Sequence, residues 1–157
     1  MNKLENKVAY ITGGTKGIGY GIAEALLAQG MKVAITGRTQ LDTKNKALEL
    51  HADRCLGIES DVSSLAAEKK AIQTVLDQFG QLDVVIANAG VGHFNSILDL
   101  TDEEWHQTID TNLSGVFHTT KAAAQALVDS KGYLMTIASL AGTNFFEGGA
   151  AYNASKF

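Results

Sequence analysis

Tyr152 and Lys156 stand four positions apart, so a helix through them presents both on one face. A free tyrosine ionises only at about pH 10, but a neighbouring ammonium favours the phenolate. Such a pair can exchange a proton with a carbonyl or an alcohol oxygen near neutral pH. Taken alone, Tyr-x-x-x-Lys is common on helix surfaces, so its meaning depends on what surrounds it.

A second chemical feature lies near the start of the chain. Thr12-Gly13-Gly14-Thr15-Lys16-Gly17-Ile18-Gly19 follows a short apolar run and opens a helical pattern. Glycines at these places allow a tight turn, close approach of a pyrophosphate, and packing of helix on strand. The helix N-terminus then offers free N–H groups and a favourable dipole to phosphate oxygens. A P-loop is the rival cradle, and Gly14 and Gly19 have its spacing. Tyr20 and Gly21 stand where that motif needs Lys and Ser or Thr, so dinucleotide binding is the expectation.

The elements that must position these groups alternate along the chain. Short apolar runs at Lys7–Thr12, Lys32–Thr36, Arg54–Ser60, Leu82–Ala87 and Gly132–Ala138 read as strands, several of them with the near-continuous apolar pattern of strands covered on both faces of a parallel sheet. Between the first two, Ile18, Ile22 and Leu26 recur on one helix face, and Gly30 suits the helix exit. Further helices are expected over Leu41–Leu50 and from Ser64 to Phe79, with Gly80 ending the latter. A long fourth helix opens on Thr101-Asp102-Glu103-Glu104, a capping-box pattern, which assigns Glu103 and Glu104 to helix initiation. Trp105, Ile109, Leu113 and Phe117 then recur at four-residue intervals. Alternation with short connections predicts right-handed crossovers and an α/β, doubly wound parallel sheet of Rossmann-like type.

Further motifs fall in order along the whole chain. Asp61-Val62 follows the third strand, and Asn88-Ala89-Gly90 follows the fourth. Asn112 comes next, and Ser139 precedes Tyr152 by thirteen positions (152 − 139). With Gly13-x3-Gly17-x-Gly19 and Tyr152-Asn153-Ala154-Ser155-Lys156, this series resembles the short-chain dehydrogenase/reductase family. The resemblance implies strand order 3-2-1-4-5 and a cofactor site at Gly13, Thr15, Lys16, Gly17, Ile18 and Gly19. It implies that Asp61 contacts the adenine beside Val62, and that Asn88, Ala89 and Gly90 support the sheet and flank the cofactor. Tyr152 would be the general acid/base, and Lys156 would also bind the nicotinamide ribose. Ser139 would orient the substrate oxygen, and Asn112 would hold a water in the proton relay. The implied activity is hydride transfer between a nicotinamide cofactor and a small-molecule carbonyl or secondary alcohol.

The choice of cofactor is read at the end of the second strand. A site for NAD(H) usually places an acid there for the ribose 2′-hydroxyl, but this chain has Thr36-Gly37-Arg38-Thr39, with no acid before Asp42. Arg38 offers a planar fork to a 2′-phosphate, and Lys16 adds a second positive charge, as in NADP-preferring relatives. NADP(H) is therefore expected over NAD(H).

Composition narrows the remaining classes. The net charge of −4 gives no electrostatic reason to expect nucleic acid or an anionic membrane as partner. No apolar run reaches spanning length, and the polar Met1–Lys7 segment lacks the apolar core of a signal peptide. The single Cys55 cannot form an internal disulfide and reads as a small buried hydrophobe, so a cytoplasmic location is expected. His51, His93, His106 and His118 lie scattered without ligand spacing, so no metal is expected. Members of the resembled family continue beyond the catalytic lysine, whereas this sequence ends at Phe157. The expectation is one dinucleotide-binding domain over 1–157, incomplete at its C-terminus, with later strands missing. A homo-oligomer is implied for a full-length form, but that implication does not carry over to a chain lacking most of the fifth helix. The alternative function is a catalytically inactive nucleotide-binding or interaction module.

Overall fold

The structure, a computed structural model, describes residues 3–157; Met1 and Asn2 of the polar N-terminal segment lie outside the described residues. Five parallel strands form one sheet: β1 (Val8–Ile11), β2 (Lys32–Gly37), β3 (Cys55–Glu59), β4 (Val84–Ala87) and β5 (Tyr133–Thr136). Their order is β3-β2-β1-β4-β5, as implied by the family resemblance. Each strand lies within its expected run except β2, which extends one residue further to Gly37.

Strand side chains alternate between two cores. Val8, Tyr10 and Val85 pack with Ile72 and Val75 on one face, while Ala9, Ile11, Val33 and Ile86 pack with Ala23 and Leu27 on the other. Both faces of β1, β2 and β4 are covered, which is why these strands read as continuous apolar runs, whereas β5 is exposed along its length. The helices are α1 (Gly17–Ala28), α2 (Gln40–Leu50), α3 (Leu65–Phe79), α4 (Asp102–Ile109), α5 (Gly115–Ser130) and α6 (Ala150–Lys156). Gly30 and Gly80 adopt left-handed conformations (φ 85° and 78°) just past α1 and α3, as their positions predicted. Ser64 caps α3 by accepting from the Ala67 N–H. Thr101 and Glu104 form the complete reciprocal capping box of α4.

Two expectations about helix faces are corrected. Helix α1 buries Gly19, Ala23 and Leu27, while Ile18 is 65% exposed and Ile22 and Leu26 pack only at the margin of the core. The sheet-facing side needs the glycine and alanine because the helix must approach the strands closely. The long fourth helix is also not one regular α-helix. Asp110–Ser114 forms a π-helical turn between α4 and α5, with the Gly115 N–H donating to the Asp110 carbonyl. Its apolar series does not face the sheet: Trp105, Leu113 and Phe117 are exposed, and Thr108, Asn112, Gly115, Thr119 and Ala123 are buried instead.

Cys55 begins β3 beside Val33 of β2. Burial pushes its thiol up to about 12, so the reactive thiolate is essentially absent at pH 8. A thiol reagent at that pH should label Cys55, which is half-buried, far more slowly in the folded chain than in the unfolded one. Rapid stoichiometric labelling of the folded protein would refute this assignment.

Candidate active site

The strand order reverses between β1 and β4, the point at which open α/β sheets bind ligands. There the chain builds a tight junction. The Thr12 hydroxyl accepts the backbone N–H groups of Asn88 and Ala89, both at 3.0 Å. The Asn88 side-chain amide donates to the carbonyls of Thr12 (2.8 Å) and Gly13 (3.1 Å). The glycine turn is thereby held against the end of β4.

Glycine is required here for two different reasons. Gly13 and Gly17 have φ of 64° and 55°, a region costly for other residues. A Cβ on Gly13 would lie 2.9 Å from the Ala89 Cα, whereas one on Gly17 would meet nothing within 4 Å and would project into open space. Gly19 is buried beneath the turn, where a Cβ would stand 2.5 Å from the Asn88 amide nitrogen and 2.6 Å from the Gly13 carbonyl oxygen. It contributes by packing.

Above the junction opens a cleft of about 590 Å³. Gly13, Thr15, Lys16, Gly17, Ile18, Arg38, Asp61, Val62, Asn88, Ala89 and Gly90 line it, so residues chosen from four separate motifs surround one space. Lys16 and Arg38 pair with no acid among the described residues, which leaves both free to meet an anionic ligand. Asp42, the first acid after β2, also lines the cleft. The Asp61 carboxylate is oriented by the Ser63 backbone N–H and hydroxyl, at 2.9 and 2.8 Å. Sequence reasoning gave no role to Thr12, Gly37, Ser60 or Thr111. Thr12 carries the junction, and the other three line the cleft. A threonine directly before the glycine turn and a glycine directly before Arg38 were the available signals.

The groups proposed for catalysis lie outside the lining of that cleft and are tied to one another. In α6, Tyr152 and Lys156 share a face, and the Lys156 ammonium lies 5.8 Å from the Tyr152 ring centroid. That ammonium donates to the Ile137 carbonyl at 3.1 Å. Just beyond, the Ser139 hydroxyl accepts from the Ala141 N–H at 3.2 Å, capping a short 3-10 turn at Leu140–Gly142 and keeping its own hydrogen available. This turn packs closely on α6, since a Cβ on Gly142 would lie 2.4 Å from the Lys156 carbonyl oxygen. The Phe94 ring meets the Tyr152 ring edge-on, with centroids 5.5 Å apart.

Asn112 occupies the π-helical turn and is buried. Its side chain accepts from the Val91 N–H (2.8 Å) and donates to the Val91 carbonyl (2.8 Å) and the Ser155 hydroxyl (3.0 Å). Both amide hydrogens are thus committed within the protein, so the expected relay water would be held by an Asn112 oxygen. What the side chain does is join the loop after β4 to the helix bearing Tyr152 and Lys156. No group of three or more His, Cys, Asp or Glu side chains able to hold a metal occurs among the described residues. None of their helices is long and apolar enough to cross a membrane.

Residues 7–157 match the family model described as short chain dehydrogenase. The chain belongs to the short-chain dehydrogenase family. It is 36% identical over 98% of its length to a 3-oxoacyl-(acyl-carrier-protein) reductase of Salmonella typhimurium, of which it covers 63%. It is 34% identical to an uncharacterized oxidoreductase of Staphylococcus aureus, covering 68% of that relative. An alcohol dehydrogenase from Thermococcus sibiricus, solved with 5-hydroxy-NADP, superposes with a TM-score of 0.91 at 35% identity, over 97% of this chain and 66% of that one. A short-chain dehydrogenase/reductase from Burkholderia phymatum, solved with NAD, superposes with a TM-score of 0.93 at 28% identity, over 99% and 57% of the two chains. The chain therefore spans roughly two thirds of the length of these family members, and both NADP-type and NAD cofactors occur among them.

The junction makes a test of the family's glycine turn possible. Gly19→Ala should lower unfolding free energy by about 1–3 kcal/mol, the usual cost of overpacking, and loosen the turn, as followed by denaturant titration. Unchanged stability would show that Asn88 is free to retreat and that the junction is not rigid.

Proposed function

We propose that this chain carries the nucleotide-binding and catalytic groups of an oxidoreductase that transfers hydride between NADP(H) and a carbonyl or secondary alcohol. The observation supporting this reading is the glycine-turn cleft, whose lining residue Val91 is joined through Asn112 to Ser155 of α6, the helix that bears Tyr152 and Lys156. The open space at Gly17 and the glycine cradle below it fit a pyrophosphate. The unpaired Lys16 and Arg38 at the cleft fit a 2′-phosphate.

In this reading Gly13, Thr15, Lys16, Gly17 and Ile18 hold the phosphates, Asp61 and Val62 flank the adenine, and Asn88, Ala89 and Gly90 wall the middle of the cleft. The nicotinamide, when bound, supplies or accepts the hydride. Ser139 donates its free hydroxyl hydrogen to the substrate oxygen. Tyr152 gives a proton to that oxygen during reduction and takes one during oxidation. The Lys156 ammonium, beside the Tyr152 ring, stabilises the negative charge left on the phenol oxygen and binds the nicotinamide ribose. Asn112 acts through Ser155 by fixing α6. A cytoplasmic setting fits the lone cysteine. The nucleotide-binding module without turnover is the alternative that assay separates.

Tyr152→Phe should reduce turnover of a ketone or 3-oxoacyl thioester by about 10²- to 10⁴-fold, the usual share of a general acid, while leaving the Kd for NADPH unchanged by calorimetry. Full turnover in the variant would remove Tyr152 from its role. No turnover in the parent chain, with NADPH bound, would favour the inactive module. For the cofactor, Arg38→Ala should weaken NADPH binding about tenfold or more, as expected for loss of a charge-assisted contact, with little change for NADH. Tighter binding of NADH than NADPH by the parent chain would overturn the NADP(H) assignment.

A further inference from the structure

Glu68 is fully buried in the first turn of α3, among apolar neighbours that include Ala71, Ile72 and Val75. Among the described residues no cation forms an ion pair with it. Its carboxylate instead collects three hydroxyl donors from three elements. The Tyr10 hydroxyl of β1 donates to Oε1 at 2.9 Å, and the Ser60 hydroxyl, just past β3, donates to the same oxygen at 2.6 Å. Thr119 of α5 donates to Oε2 at 2.8 Å. Burial and the adjacent Glu68 hold the Tyr10 phenol well above its ordinary range, so it stays protonated as a donor. The positive end of the α3 dipole also favours an anion here.

An apolar side chain would fill this place without the cost of desolvating a carboxylate. The network's position suggests what that cost supports. Ser60 itself lines the cleft and is followed by Asp61 and Val62, which line it too. The same turn is tied a second time to α5, since the His118 ring Nδ1–H donates to the Val62 carbonyl at 2.9 Å. Gly115 leaves room for the Val62 side chain, which a Cβ would approach to 2.7 Å.

We propose that Glu68 is a positioning residue for the adenine end of the bound nucleotide: from inside the core it fixes Ser60, and with it the Asp61–Val62 wall, against β1 and α5. This rests on the nucleotide-binding reading above. Glu68 touches no ligand; it sets the place of the residues that do.

The test uses calorimetry on the whole chain with two fragments, 2′-phospho-ADP-ribose for the adenine end and reduced nicotinamide mononucleotide for the other. Glu68→Gln and Ser60→Ala should each weaken the adenine fragment about five- to tenfold, the scale of one lost buried hydrogen bond to a charge. Binding of the nicotinamide fragment should be unchanged. The double variant should bind no more weakly than the worse single one, because both break the same link. Folded variants with lower melting temperatures but unaltered adenine-fragment affinity would reduce Glu68 to a core residue and overturn the proposal. Equal weakening of both fragments would overturn it as well, by revealing a general loosening. Where Glu68→Gln does not fold, Thr119→Val, which removes the donor to Oε2 at a residue outside the cleft lining, takes its place with the same outcomes. A parent chain that binds neither fragment would instead bring down the nucleotide reading on which the proposal stands.

Discussion

The arrangement of this molecule depends on how the ends of β1 and β4 are joined. Where the strand order reverses, the crossovers diverge to opposite faces and the backbone beyond each strand loses its sheet partners. Those groups must find others or remain unsatisfied. Thr12 and Asn88 supply them reciprocally, with one hydroxyl receiving two N–H groups and one amide serving two carbonyls. The glycines follow from this contact. Asn88 can reach the Gly13 carbonyl only because position 19 has no Cβ, and the turn can lie against Ala89 only because position 13 has none. The cradle exists because side chains were removed from one strand exit so that a side chain could arrive from the other.

Much of this was legible in the residues themselves. The runs of β1, β2 and β4 register directly because burial on both faces removes polar residues, and Gly30, Gly80 and the Thr101–Glu104 box mark helix ends by local chemistry. The order of the motifs was enough to gather the lining of the cleft. What did not show is equally specific. A π-helical turn depends on hydrogen-bond register, here including the bond from the Gly115 N–H to the Asp110 carbonyl, and no residue type encodes that register. The four-residue spacing of Trp105, Ile109, Leu113 and Phe117 continues straight through it. That apolar series faces outward, so periodicity gave the helix but not its inner side. Ile18 misled for a related reason, since the residue opening a helix against a glycine turn faces the cleft rather than the core. Glu68 gave no signal because its partners, Tyr10, Ser60 and Thr119, are far apart in sequence and meet only when the sheet forms.

Interior polar groups are costly, and this fold concentrates them beside the site. Thr12, Ser60, Glu68, Asn112 and Thr119 are all buried, and each bonds across elements rather than within its own. Apolar packing is tolerant of small shifts, whereas a hydrogen bond loses most of its strength when its geometry is disturbed. Directional contacts of this kind hold a cleft wall to tighter limits than the surrounding Val, Ile and Ala side chains could. The two cores give the sheet its cohesion, and the polar links give the cleft its dimensions.

Those links converge on one element. Asn112, in the π-helical turn, holds α6 through Ser155, and His118 and Thr119, in α5, hold the β3–α3 turn through Val62 and Glu68. The two attachment points are seven residues apart (119 − 112) on the continuous helical run that joins the π-helical turn to α5. A helix cannot change that length without breaking its own ladder of bonds. Tyr152 and the Asp61–Val62 side of the cleft are therefore both anchored to the same helical run. Such a rail fixes the spacing between that side of the cleft and α6. The buried face of the helix follows from the same need. Thr108, Asn112, Gly115, Thr119 and Ala123 are small or polar because this side must come close enough to hold, while the larger apolar residues can face away.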